Sequence, residues 1–211
     1  NGAGKSTLIK MISGAEYPDS GAVFQFGDKQ LSRVSIAEAF NFGVTVLYQD
    51  ISLFPNLTVA ENITIRLQKG PLVSKRQRME QAKRALDILG VDIDLSAPLE
   101  SISLGKQQLV ALARAVLFNS RIIILDEPTA ALSSSEVQTL YRIVKSLRER
   151  GVGIVYISHK LDEVFHLADR ITVLRDGFLV DTGEVQNYND DKLISLMVGR
   201  ELRFLPMQSQ L

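Results

Sequence analysis

The chain has no cysteine among its 211 residues. No disulfide staples it, and the absence fits a reducing compartment. Neither sign of charge is in excess, with 24 Lys and Arg against 24 Asp and Glu. Proteins that track a phosphate backbone usually carry a basic surplus, so this balance argues against nucleic acid as the main partner. Long apolar runs are missing too. A membrane-spanning helix needs ~20 apolar residues, and the longest candidates here, Ile122–Leu125 and the stretch around Val152–Ile157, have the length of strands. No basic-then-apolar leader opens the chain, so any service to a membrane is expected from the side, through partners. There is no internal repeat and no low-complexity stretch. What remains is 45% hydrophobic and 23% charged, an ordinary globular balance with enough apolar mass for a sizeable core.

Short apolar segments alternate with helical periodicity, which predicts an α/β fold with a largely parallel sheet. Lys5 to Ile12 reads as a helix stopped by Gly14, and Ala22–Phe26 and Val44–Tyr48 read as strands. Residues 50–118 are mainly helical in pattern, over Val59–Leu67, Lys75–Leu89 and Gln107–Phe118, punctuated by Pro55, Pro71 and Pro98. This segment reads as a helical subdomain inserted into a core made of 1–49 and 119–211. Alternation then resumes with a buried strand at Ile122–Leu125. Ser133 and Glu136 form a capping box for a helix whose apolar stripe runs Val137, Leu140, Tyr141, Val144, Leu147 and which Gly151 ends. A second buried strand follows at Val152–Ile157. Ile171–Leu174 and Phe178–Val180 flank Asp176-Gly177 as a hairpin, and Asp191–Val198 reads as a short helix.

Five segments carry chemistry. The opening Asn1-Gly2-Ala3-Gly4-Lys5-Ser6-Thr7 supplies the end of a G-x-x-x-x-G-K-[ST] phosphate loop and reads as a fragment that starts inside that motif. Glycines let backbone N–H groups close around phosphate, and the helix beginning at Lys5 aims its positive end at the same anion. Lys5 would reach the β- and γ-phosphates, and the Ser6 hydroxyl can ligate Mg²⁺. In Ile122-Ile123-Ile124-Leu125-Asp126-Glu127 an apolar strand ends in two carboxylates. The carboxyl ends of parallel strands face the ligand crevice, so Asp126 is expected to hold Mg²⁺ and Glu127 to act as general base toward water. His159 follows the next strand and can hydrogen-bond a γ-phosphate; His166, in a helical stretch, is left without a role. Gln49, at the end of Val44–Tyr48, can ligate Mg²⁺ or orient water. Ser103 and Gly105, in Ser101-Ile102-Ser103-Leu104-Gly105-Lys106-Gln107-Gln108, stand at a helix amino terminus and make a second anion site. Two phosphate sites in one chain suggest a nucleotide sandwiched between two copies.

In this order, the five segments resemble the nucleotide-binding domains of ABC transporters over nearly the whole chain. Asn1–Thr7 is similar to the Walker A loop and Gln49 to the Q-loop. Ile102–Lys106 resembles the signature, whose usual form is LSGGQ. Ile122–Glu127 resembles Walker B with its glutamate, Ala130–Ser133 the D-loop, and His159 the H-loop. The run Phe54–Ile63, the segments Ile157–Val164 and Val173–Gly177, and the ending Leu196–Glu201 are similar to the first ATPase domain of carbohydrate importers of the ribose, galactose and xylose type. Leu104, Lys106 and Ser133 depart from the family's usual Gly, Gln and Asp.

The resemblance implies a P-loop NTPase core that lacks its first strands, with an inserted helical subdomain, working with ATP and Mg²⁺. Asn1, Gly2, Ala3, Gly4, Lys5, Ser6 and Thr7 would bind nucleotide together with Gln49, while Ser103 and Gly105 would cap a γ-phosphate held by a second nucleotide-binding domain, tandem or identical. Lys5, Glu127 and His159 would be catalytic, and Ser6, Gln49 and Asp126 would face the metal. The partners implied are transmembrane permease subunits and a periplasmic or extracellular solute-binding protein, with no nucleic acid, at the cytoplasmic face of the inner membrane. A non-transport ABC ATPase of the translation or DNA-repair type and a regulatory half with little turnover are the alternatives.

Overall fold

A computed structural model of the chain describes residues 2–48, 52–65 and 74–199. They divide into two compact units, one within residues 9–159 and the other made of residues 2–8 and 160–199.

The larger unit is built on a parallel sheet of β3 (Val44–Leu47), β4 (Ile122–Asp126) and β5 (Gly153–Ile157), with β4 central. Val44 pairs with Ile122, and Ile122 with Gly153. Ile123, Ile124 and Leu125 are fully buried, as a continuous apolar run in a parallel sheet should be. The helix α1 (Lys5–Ser13) contributes Ile9 to a core with Val34, Ala39, Val44 and Ile124. Between α1 and β3 the expected strand Ala22–Phe26 is shorter. It is β1 (Phe24–Phe26), paired antiparallel with β2 (Lys29–Leu31), and α2 (Ile36–Asn41) follows. The alternation that marks a strand was too brief in Lys29–Leu31 to stand out.

The middle of the unit is helical. α3 (Val59–Thr64), α4 (Lys75–Leu89) and α5 (Leu104–Leu117) pack on one another. α4 begins and ends where the sequence predicts, between Ser74 as N-cap and Gly90 in the left-handed conformation. α5 starts three residues earlier than Gln107, because Ser103 accepts from the Lys106 N–H and caps it there. α6 (Ser134–Glu149) has the expected Ser133–Glu136 capping box and buries Leu140, Tyr141, Val144 and Leu147.

The smaller unit holds α7 (Leu161–Leu167), a hairpin of β6 (Arg170–Arg175) and β7 (Phe178–Glu184), and α8 (Asp190–Val198). The hairpin is longer than predicted and carries an irregularity between Val173 and Leu174. Ile171, Val173, Tyr188 and Leu193 form its core. Among the described residues no helix is long and apolar enough to cross a membrane.

Candidate functional site

The residues expected to form a phosphate loop take the conformation that only glycine adopts cheaply: φ is +95° at Gly2 and +87° at Gly4. The Gly4 carbonyl then accepts the Leu8 N–H at 3.0 Å, which launches α1. The first turn of α1 carries no acidic side chain, so nothing in the helix itself offsets the positive end of its dipole. Lys5 is half-buried, while Ser6 and Thr7 are exposed. The loop is braced by the hairpin turn: Gly177 N–H donates to the Ala3 carbonyl at 3.3 Å, and a Cβ on Gly4 would stand 3.2 Å from Gly177 Cα. Nothing in the sequence pattern announced this support. Asn1 lies outside the described residues.

In the larger unit, chemistry-bearing residues collect at the strand ends. Asp126 closes β4 in register with Ile157, which closes β5. Glu127 follows with φ +46°, in the left-handed region that costs an L-residue ~1–2 kcal/mol. The Glu127 N–H donates to the Ile157 carbonyl at 2.9 Å and so ties the turn to β5. Its carboxylate Oε1 lies 3.2 Å from His159 Nδ1. The Glu127 side chain is 22% exposed and that of His159 58%, so the carboxylate is sheltered while the imidazole faces outward. Strained backbone of this kind persists where surroundings over-determine it, and it concentrates at functional positions. The structure therefore brings Glu127 and His159 together as expected, and the strain adds a mark that residue types alone do not carry.

Ser103 and Gly105 stand at the amino end of α5, Ser103 as its N-cap and Gly105 buried in its first turn. The Ser103 hydroxyl donates to Glu136 Oε1 at 3.0 Å. The same carboxylate serves the α6 capping box through Oε2, accepting the Ser133 N–H at 3.0 Å and the Ser133 hydroxyl at 2.9 Å. Those bonds, first the Ser133 backbone, then its hydroxyl and that of Ser103, hold the Glu136 carboxyl below its ordinary value. Sequence reading assigned Glu136 to its own helix and missed this second role, since contact between α5 and α6 leaves no trace in local spacing.

Gln49 lies outside the described residues. The loop beyond it is clamped by Asn62, which is fully buried. Asn62 Oδ1 accepts the Phe54 N–H at 2.8 Å, and its Nδ2 donates to the carbonyls of Phe54, Leu57 and Thr58 at 2.9, 3.3 and 3.1 Å. Arg114 of α5 donates to the Ser52 carbonyl at 3.0 Å. Phe54 itself is half exposed.

The metal-facing candidates Ser6 and Asp126 offer hard oxygen, and among the described residues no group of three or more His, Cys, Asp or Glu is placed to hold an ion. Oxygen of this kind suits Mg²⁺, which takes few protein ligands and completes its shell with water and substrate phosphates.

A family model described as ABC transporter matches residues 1–130. The ribose import ATP-binding protein RbsA 2 of Rubrobacter xylanophilus is 46% identical over 96% of this chain and 40% of its own length. The arabinose import ATP-binding protein AraG of Rhizobium etli is 41% identical over 96% of this chain and 41% of its own. The chain thus spans about two fifths of the curated relatives it matches. A dimeric bacterial ABC transporter cassette superposes with TM-score 0.75 at 26% identity, over 89% of this chain and 83% of that one. With the fold, the ordered motifs and these likenesses in agreement, the chain belongs to the ABC transporter family, as an ATP-binding cassette.

Proposed function

We propose that this chain is the ATP-hydrolysing cassette that energises import of a sugar, from the cytoplasmic face of the cell membrane. The observation that carries the reading is Glu127: a carboxylate at the end of a buried strand, held in a strained turn 3.2 Å from His159. A half-sheltered carboxylate that cannot relax elsewhere is suited to take a proton from water as water attacks phosphorus. His159 orients the γ-phosphate. Lys5 and the amides of Gly2, Ala3, Gly4, Ser6 and Thr7 hold the phosphate chain, acting by position and charge rather than by covalent chemistry. Ser6, Gln49 and Asp126 would hold Mg²⁺, which when bound neutralises phosphate charge. Ser103 and Gly105 receive the γ-phosphate of a nucleotide held by a second cassette, tandem or identical.

The sugar assignment is supported by the ribose and arabinose names of the relatives. In this reading residues 50–118 form the subdomain that meets the transmembrane permease subunits, and 1–49 with 119–211 form the nucleotide core. A periplasmic or extracellular binding protein selects the solute, and nucleic acid has no part. The test is ATP hydrolysis by the full-length polypeptide with its membrane subunits in liposomes, with and without a sugar-loaded binding protein. Stimulation by the loaded protein is expected. Hydrolysis indifferent to every membrane partner would overturn the transport reading.

A further inference from the structure

The amino end of α5 is already occupied by an anion from within the chain. α5 has no acidic residue in its own first turn. Glu136, from the first turn of α6, supplies one: Oε1 accepts the Ser103 hydroxyl at 3.0 Å. The approach is closer than any side chain at position 105 would permit. A Cβ on Gly105 would stand 2.2 Å from Oε1 and 2.3 Å from the carboxyl carbon of Glu136. Among the described residues, four helices open with a reciprocal capping box, those capped by Ser35, Thr58, Ser74 and Ser133. Of their partners Glu38, Glu61, Gln77 and Glu136, it is Glu136 that also accepts from the N-cap of another helix.

We propose that Glu136 is a positioning residue that competes with the γ-phosphate for Ser103. Its carboxylate holds the Ser103 hydroxyl and covers Gly105, and it must withdraw when the nucleotide of a second cassette is received there. The proposal rests on the reading of Ser103 and Gly105 as γ-phosphate contacts. A carboxylate and a phosphate cannot share one donor and one helix terminus without repulsion. Withdrawal has room and a destination. Glu136 borders an open cleft of about 200 Å³ between α5 and α6, lined also by Lys106, Leu109, Leu132 and Thr139. Lys106, the basic residue where the family usually carries Gln, already attracts the carboxylate electrostatically. The exchange of Ser103 between an internal and an external anion makes this terminus selective for a nucleotide that carries a γ-phosphate and resistant to closing without one.

The test is equilibrium binding of ATP and ADP, with Mg²⁺, to the full-length polypeptide and its Glu136→Gln form, both in a Glu127→Gln background so that ATP is not consumed. Glutamine at this position still closes a capping box but carries no charge. The Glu136→Gln change is expected to tighten ATP binding about fivefold, the size of one solvent-screened charge interaction at contact distance. ADP affinity stays unchanged, and the ATP gain shrinks in about 1 M salt. Glu136→Ala should show the same ATP-selective gain with a lower melting temperature, which separates the effect from the loss of the cap. An ATP affinity that is unchanged or weakened, or ATP and ADP shifting together, overturns the proposal and leaves the ATPase reading standing. Failure of the full-length polypeptide to bind ATP at all would overturn both.

Discussion

The strained backbone of Glu127 sets stability against the activity proposed for it. At φ +46° an L-residue with a long side chain gives up ~1–2 kcal/mol relative to an ordinary conformation. Asparagine tolerates the left-handed region better, and glycine tolerates it without penalty but loses ~0.5–1 kcal/mol through its freer unfolded chain. The side-chain contact forfeited is small, because the His159 partner is 58% exposed and exposed pairs contribute under about 1 kcal/mol. The backbone bond from Glu127 N–H to Ile157 survives either change. Glu127→Asn should therefore stabilise the cassette by about 0.5–1 kcal/mol, a rise of roughly 2 °C for a domain of this size. Glu127→Gln keeps the strained geometry and should stay within about 0.3 kcal/mol of the parent. Both should lower hydrolysis at least ~10²-fold, the usual contribution of a positioned base. Calorimetry of the full-length polypeptide, following the transition that ATP shifts, and a steady-state ATPase assay read the two effects. A Glu127→Asn protein less stable than Glu127→Gln would refute the claim that strain is stored here. Retained hydrolysis in both would refute the role of the carboxylate.

Asn62→Ala should destabilise the cassette by about 1–3 kcal/mol, seen in urea or thermal unfolding. The change removes the buried acceptor of the Phe54 N–H, while the carbonyls of Phe54, Leu57 and Thr58 each lose one donor and keep a backbone one, from the N–H of Leu57, Leu99 and residue 62. His159→Ala should cost about 10–100-fold in hydrolysis while unfolding shifts by less than about 0.5 kcal/mol, since an exposed side chain carries little packing. Acid should loosen α3 through Glu61, whose carboxyl is held below 4.5 by the Thr58 N–H first, then by the Thr58 hydroxyl and the charge of Arg78. The folded pKa is depressed, so the contribution is complete above 4.5 and is lost as pH falls below it through the folded value. Thermal melts from about pH 6 to pH 3 should show a shallower acid decline in Glu61→Gln than in the parent.

The parts of this cassette legible in the sequence are those set by local periodicity. The apolar strand Ile122–Leu125, buried from Ile123 on, the Ser133–Glu136 cap and the bounds of α4 follow from short-range rules, and the structure has them; the equally apolar Val152–Ile157 forms a strand but is not buried, with Val155 exposed. Motif order also placed Glu127 and His159 at one end of the sheet, where they meet. What escaped the sequence is contact between elements far apart in the chain. Ser103 and Glu136 meet across the α5–α6 junction, and Gly177 supports Ala3 from the far end of the chain. Such pairings depend on packing, and packing has no signature in spacing. The short pieces β2 and α2 were missed for a different reason: each is below the length at which an apolar period becomes visible.

The three parallel strands act as one rack for the residues proposed to carry the chemistry. At their amino ends, the Gly43 carbonyl accepts the N–H groups of Arg121 and Ile122 at 2.8 and 3.0 Å, and the Arg121 carbonyl accepts the Gly153 N–H at 2.8 Å. At the carboxyl ends, Asp126 pairs with Ile157, whose carbonyl takes the Glu127 N–H. A strand fixed at both ends cannot slide by a fraction of a residue without breaking its ladder, and a whole-residue slip would invert every side chain. Asp126 ends β4 and Glu127 follows it, Ser158 with His159 follow β5, and in sequence Gln49 stands two residues past β3. A change in the middle of β4 therefore acts on both described sets at once. Enlarging or truncating Ile124, which is 1% exposed, must displace the Glu127–His159 pair together with the fold. Substitutions at the exposed side chains of the turns can separate chemistry from stability; substitutions in the strands cannot.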